Sequence, residues 1–192
     1  LLRCAASVAA AMGDSKDERS IKLTERIFPN IHPVTIVPST ADMKFKTDLL
    51  REGCTAAKEY DEKIVQVIGN LITVDHTIQI ANSDGLFTSD RHIRTRMAIA
   101  ATASDGHENQ TGFSGPGRGM GLEVFDLFPP REIGKEAARI AMVNLSAGYC
   151  PAGEMTVAIE NGFGGVIFHE SCGHSLEATA VGTGTSQMCG KL

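Results

Sequence analysis

The hydrophobic pattern of the chain changes period along its length. In "PSTADMKFKTDLLREGCTAAKEYD", Phe45, Leu49, Ala56 and Tyr60 recur at helical intervals, so the segment predicts a helix. Ser39, three residues ahead of Asp42, reads as its N-cap signal, and Gly53 weakens it. The pattern then turns to alternation. "KIVQVIG" is a short β-branched run. "TVDHTIQIA" sets Val74, Ile78 and Ile80 against Asp75, Thr77 and Gln79, with His76 falling on the apolar face as a partly buried structural residue. In "RHIRTRMAIAATA", Ile93, Met97 and Ile99 oppose His92, Arg94 and Arg96. Turns at "NSDG" and "SDGHE", followed by "NQTGFSG", complete the signature of an antiparallel meander with one solvated face.

Elsewhere the pattern is helical or broken. Residues 1–12 predict a helix ended by Gly13, and Pro29, Pro33 and Pro38 interrupt the stretch that follows. "SGPGRGMG" is a flexible loop: no Lys-Ser/Thr pair follows to make it a phosphate cradle. "PPREIGKEAARIAMVNL" predicts a helix with proline in its first turn and a packing stripe of Ile133, Ala137, Ile140 and Ala141. "GYCPAGE" is a connector, "MTVAIE" a strand, and "VIFHESCGHSLEA" a helix released by the glycines of "NGFGG". The expected fold class is α+β. An antiparallel β-sheet carries helices on one face and leads into a second domain that bears the histidine-containing helix. The boundary falls between residues 1–150 and 151–192.

Composition narrows the functional classes. Of the 192 residues, 42% are apolar, enough for a substantial core. With 18 Lys and Arg against 23 Asp and Glu, the formal charge is -5, which gives no electrostatic basis for binding nucleic acid or an anionic membrane. The 5 cysteines, Cys4, Cys54, Cys150, Cys172 and Cys189, form no CxxC pair and read as reduced thiols of a cytoplasmic protein. The apolar start "LLRCAASVAAAMG" is too short to span a bilayer. Both ends of the sequence look cut.

The chemistry concentrates in "FHESCGHSLE". His169 and His174 could bind zinc, with Glu170 as the base that takes a proton from water. Histidines five apart diverge by about 140° on a regular α-helix, whereas four apart they lie within about 40°. A π-type widening near Cys172–Gly173 would restore convergence. Without it, the two histidines are unrelated residues on different faces. Cys172 reads as a small buried hydrophobe, although it could ligate metal or act as a nucleophile with His174 as its base. Glu177 is either an orienting partner of His174 or a solvated charge. Cys189 has nothing around it to single it out.

"GGVIFHESCGHSLEATAVGTGTSQMCGKL" resembles the metal-site segment of the TldD/PmbA family. "LLREGCTAAKEYDEKIVQVIGNL", "IANSDGLFTSDRH" and "PAGEMTVAIENGFGGVIFHE" resemble the same family in the same order. The resemblance runs from about Thr40 to Leu192. It implies a zinc-dependent peptidase with an HExxxH motif, in which His169 and His174 match the zinc ligands and Glu170 the general base. It further implies peptide substrates that are small or unfolded, and a homo- or heterodimer with a related subunit. The alternative within that family is a regulatory or scaffolding subunit with a structural or vacant site. The older association of the family with DNA gyrase finds no support in so acidic a chain. The third zinc ligand in the family is a cysteine far downstream. The expectation is therefore an internal part of a longer protein, inactive by itself.

Overall fold

The alternation of "RHIRTRMAIAATA" becomes the centre of a five-stranded sheet. The computed structural model describes residues 22–191, so the helix expected over residues 1–12 lies outside the described residues, as does Cys4. In chain order, β1 is Thr24–Glu25, β2 Ile64–Ala81, β3 Leu86–Ser104, β4 Asn109–Ser114 and β5 Gly117–Arg118. β2, β3 and β4 form the expected antiparallel meander, and β5 also runs antiparallel to β3. The short β1 adds to β3 in parallel, which makes the sheet mixed. The β2–β3 register continues unbroken from Gln66↔Thr102 to Ala81↔Phe87. At its turn, Gly85 takes φ +88°, and the Asn82 side chain accepts N–H bonds from Asp84 and Leu86. Gly106, at φ +89°, serves the second Asp-Gly turn.

The helices are α1 (Met43–Lys58), α2 (Val124–Leu127), α3 (Pro130–Ser146), α4 (Val166–Phe168) and α5 (Ala178–Gly182). α1 and α3 pack on one face of the sheet, as expected of the α+β class. Met97, Ile99, Ala101 and Ala103 of β3 are buried against Ala57 of α1 and Ile133, Ala137 and Ala141 of α3. The expected stripe of α3 is extended by buried Gly134 and Ala138, and its first residue is Pro130. The cap of α1 differs from expectation. Asp42, not Ser39, accepts the Lys44 N–H, while the Ser39 hydroxyl donates to Asp75 at 2.6 Å. Phe45 and Tyr60 are half-exposed, and the buried face of α1 is Gly53, Ala56 and Ala57.

Gly53 therefore has a positive role. A Cβ built on it would lie 2.6 Å from Ile99 Cδ1 and 2.9 Å from the Pro130 carbonyl, and one built on Gly134 would meet the Gly53 carbonyl. The two helices touch backbone to backbone. Gly112 of β4 approaches the backbone of α3 at Ala137 and Ala141 in the same way.

The helices cover only part of the sheet. At 1.5 Å per residue, α1 and α3 span about 25 Å, whereas β2 and β3 at 3.3 Å per residue span about 60 Å. The covered face of β2 is its odd-numbered one, with Val67 and Leu71 packed against the core. Beyond the register shift between Ile64 and Gln66, the even-numbered face of β2 points away from the helices, whereas Ile64 itself is buried in the core. His76 is consequently exposed rather than partly buried, and Val74 and Ile80 are exposed beside it. Past the core, a polar link replaces apolar packing: Arg91 pairs with Asp75 through two bonds of 2.7 and 2.6 Å, and Ser39 adds its hydroxyl. Arg91 first and Ser39 second hold the Asp75 carboxyl down at about 2.

"SGPGRGMG" is no cradle, but neither is it a free loop. It contains β5, and the Arg118 guanidinium lies 5.0 Å from the Phe128 ring. Just beyond it, the Glu123 carboxylate accepts N–H bonds from Thr35, Ile36 and Gly121. Burial opposes its ionisation, yet these N–H groups outweigh that and set its pKa below the ordinary range.

The chain divides between Gly148 and Tyr149 into two compact units. In the second, "MTVAIE" is not a strand. Residues 155–160 are exposed and unpaired, because no neighbouring segment among the described residues offers them a ladder. Cys54, Cys150, Cys172 and Cys189 are free thiols. Among the described residues, no helix is long and apolar enough to cross a membrane.

Two outcomes follow from these contacts. Gly134→Ala would normally gain up to about 1 kcal/mol of helix propensity. Here its methyl collides with backbone, and we expect a net loss of about 1–3 kcal/mol in denaturant unfolding. The second concerns pH. The folded pKa of Asp75 is depressed, so its ion pair stabilises fully above the unfolded value near 3.8 and fades as pH falls through about 2. The stability difference between the protein and Asp75→Asn should be constant above about pH 4 and shrink towards pH 2; a pH-independent difference would contradict this.

Candidate metal centre

The segment that carries the histidines begins with a 3₁₀ turn, Phe163–Gly165, and continues as α4. It then widens into a π-helical turn, His169–Gly173, and tightens into a 3₁₀ turn, His174–Leu176. The His174 N–H bonds to the His169 carbonyl, closing the wide i→i+5 ring. One extra residue is thus absorbed in a single turn, and an offset of five does what four does in an α-helix. The Ser171 hydroxyl donates to the Ile167 carbonyl at 2.6 Å, giving a partner to an acceptor that the altered ladder could leave short. Gly173 was the residue expected to supply backbone freedom, but it sits at φ -56°, ψ -53°, ordinary helical angles. Nor is space the reason for glycine: a Cβ there would stand 3.4 Å from His169 Nδ1, an ordinary van der Waals distance.

The widened turn brings the two imidazoles together. Their ring centroids are 4.4 Å apart, with planes at 64°. His169, Glu170 and His174 can each offer one donor atom such that all three lie within 4.8 Å of one another. His174 Nδ1 is 2.6 Å from Glu177 Oε1. An ionised carboxylate can only accept, so Nδ1 is the donor in this contact, and in the neutral ring Nε2 then carries the lone pair. Nε2 lies 3.7 Å from Glu170 Oε2. Glu177 therefore fixes the tautomer that leaves Nε2 free to bind a cation.

Two imidazole nitrogens and a carboxylate oxygen suit a divalent transition metal, so the residues present fit the group that the sequence suggests. Cys172 is exposed rather than buried, because the widened turn carries it onto solvent. No hydrogen bond joins it to either histidine among the described residues, so the pairing a thiol nucleophile needs is not formed. Cys189 stays outside the cluster. The orienting contact of Glu177 was legible only as an i,i+3 spacing, which many surface pairs share.

Most of the chain has counterparts among known proteins. Residues 36–145, which hold most of the sheet together with α1 and α3, match the model of the PmbA/TldA metallopeptidase central domain. The metalloprotease TldD homolog of Buchnera aphidicola subsp. Acyrthosiphon pisum is 31% identical over 188 residues, covering 94% of this chain and 38% of its own length. The TldD homolog of Haemophilus influenzae is 32% identical over 152 residues, 77% of this chain and 32% of its own. The chain thus spans 32–38% of the length of these curated relatives. A crystal structure from Thermotoga maritima, described as that of a DNA gyrase modulator, superposes with a TM-score of 0.73 at 20% identity. It covers 100% of this chain and 43% of its own. At that identity the likeness concerns the fold alone.

If Glu177 orients His174, its loss should weaken metal binding without removing a ligand. We expect Glu177→Ala to lower the affinity for a divalent ion by about tenfold to a hundredfold in calorimetric titration. Glu177→Gln, whose carbonyl still accepts from Nδ1, should recover most of it.

Proposed function

The chain belongs to the PmbA/TldD metallopeptidase family, and on that footing we propose that it carries the zinc site of a peptidase acting on small or unfolded peptides. The observation that supports this most directly is the convergence of His169, Glu170 and His174 on one widened turn. His169 and His174 are the ligands in this reading, and Glu170 stays off the ion as general base. A further ligand then comes from outside this trio, since catalytic zinc sites use three protein ligands. Zinc, when bound, supplies Lewis-acid polarisation of the scissile carbonyl and a lowered pKa for water.

The chain's own groups handle the proton. The Glu170 carboxylate stands beside His174 Nε2, within reach of a water on the nitrogen side of the rings. It takes a proton from that water as the oxygen attacks the peptide carbonyl, and it returns the proton to the departing amine. Glu177 keeps His174 in the tautomer this requires. We also propose pairing with a second, related subunit, as the family resemblance implies, and a cytoplasmic location.

Replacing Glu170 with Gln separates a peptidase from a scaffold. In the full chain we expect turnover of an unfolded peptide to fall by about 10²–10⁴-fold, the usual contribution of a general base. Zinc content and the unfolding midpoint should stay unchanged, and a chelator should abolish activity until zinc is restored. Turnover unaltered by both treatments would overturn the zinc-and-Glu170 reading, and a zinc-loaded full chain with no turnover at all would leave only a scaffolding role.

A further inference from the structure

A second site lies far along the sheet, in the first unit. β3 is flanked by β2 along nearly its whole length. On its other side, β1 pairs at Leu86 and Phe87, and pairing resumes only at Thr95 and Arg96 with β5. The gap between these two short strands opens into a cavity of about 550 Å³, within the range of small-ligand sites.

The charges on its wall run against the acidity of the chain. Arg91, Arg94, Arg118, His32 and His92 line it, with Asp90 as the one acid. Most of these are already engaged. Asp90 accepts from the Arg91 N–H at 2.7 Å through one oxygen and meets His92 Nε2 at 2.7 Å through the other. The Arg91 guanidinium is held by Asp75. Arg118 donates to the Gly117 carbonyl and lies over Phe128. Arg94 differs: it lines both this cavity and the adjoining hollow beside Ile72 and Val74, and among the described residues its guanidinium has neither an ion pair nor a hydrogen bond, so its fork of donors is unused. Pro29, Ile31 and Met120 give the same cavity an apolar wall.

We propose that this cavity binds the free carboxylate of a peptide whose terminal side chain is apolar, with Arg94 as the anchoring cation and Ile31 and Met120 against the side chain. The anionic and apolar halves of the ligand follow from the wall itself. The choice of a peptide, rather than another carboxylic acid, rests on the peptidase reading above. A guanidinium matches a carboxylate in two parallel bonds, and a neutral amide offers no such match.

The test is calorimetric titration of the chelator-treated full chain with N-acetyl-leucine, N-acetyl-leucinamide and inorganic phosphate. Binding is the readout, so the result does not depend on turnover, and the Glu170→Gln experiment reports separately on catalysis. We expect the acid to bind at least about tenfold more tightly than the amide and than phosphate. Arg94→Gln should remove that preference, and Arg94→Lys, which keeps the charge but not the fork, should retain part of it. Arg131→Gln, an exposed arginine of α3 outside the cavity, should change nothing. Equal binding of acid and amide, phosphate binding as tightly as the acid, or an Arg94→Gln protein that still prefers the acid would each overturn the assignment. Arg94 is exposed and, among the described residues, unpartnered, so its replacement leaves the fold in place, and an unchanged unfolding midpoint checks this.

Discussion

Backbone contacts without intervening side chains set the thickness of the first unit. Gly53 and Gly134 let α1 and α3 cross in direct contact, and Gly112 lets β4 lie against α3. Once the layers are this close, little volume remains between them. Alanine accordingly fills much of the core, at Ala57, Ala101, Ala103, Ala137, Ala138 and Ala141, beside the larger Ile64, Met97, Ile99, Leu122, Val124, Phe125 and Ile133. Such a core combines the close contacts of small residues with the dispersion of a few larger ones. It also tolerates added volume poorly, since the nearest atoms are backbone and cannot swing aside.

The same economy explains why the sheet reaches past its helices. A layer of two short helices covers only the near part of two long strands. The far part is held by a register of cross-strand pairs, by the Ser39–Asp75–Arg91 link and by the Glu123 clamp on residues 35 and 36. Polar contacts of this kind order a ribbon without burying it. They leave Val74, Ile80 and His76 in solvent, and they leave the wall cations of the gap beside β3 within reach of a ligand.

Much of this was legible in the sequence, and the misses have physical causes. Strict alternation in β3 gave its buried face correctly, because a period of two has one solution when one face meets a core. The same logic misplaced His76: alternation identifies two faces but not how far a covering helix extends. Ser39 and Asp42 are both plausible caps by type, and only the position of Asp75, 36 residues from Ser39, decides between them. Gly53 looked like a weak point because its local cost is visible in sequence, whereas its partner Gly134 is remote. "MTVAIE" has the composition of a strand, yet a strand exists only with a neighbour. At the histidines, the spacing itself demanded a widened turn, and the turn is present. What the spacing did not show was the exposure of Cys172 or the tautomer fixed by Glu177.

That widened turn also bears on how such sites are recognised at all. Because the surplus residue is confined to one loop of the spiral, the chain resumes a helical course within a few residues of it. Histidines with four residues between them in one protein and three in another can therefore be alternative spellings of a single imidazole pair. A pattern that fixes the interval treats them as strangers, while an alignment that permits one gap inside the turn makes them equivalent.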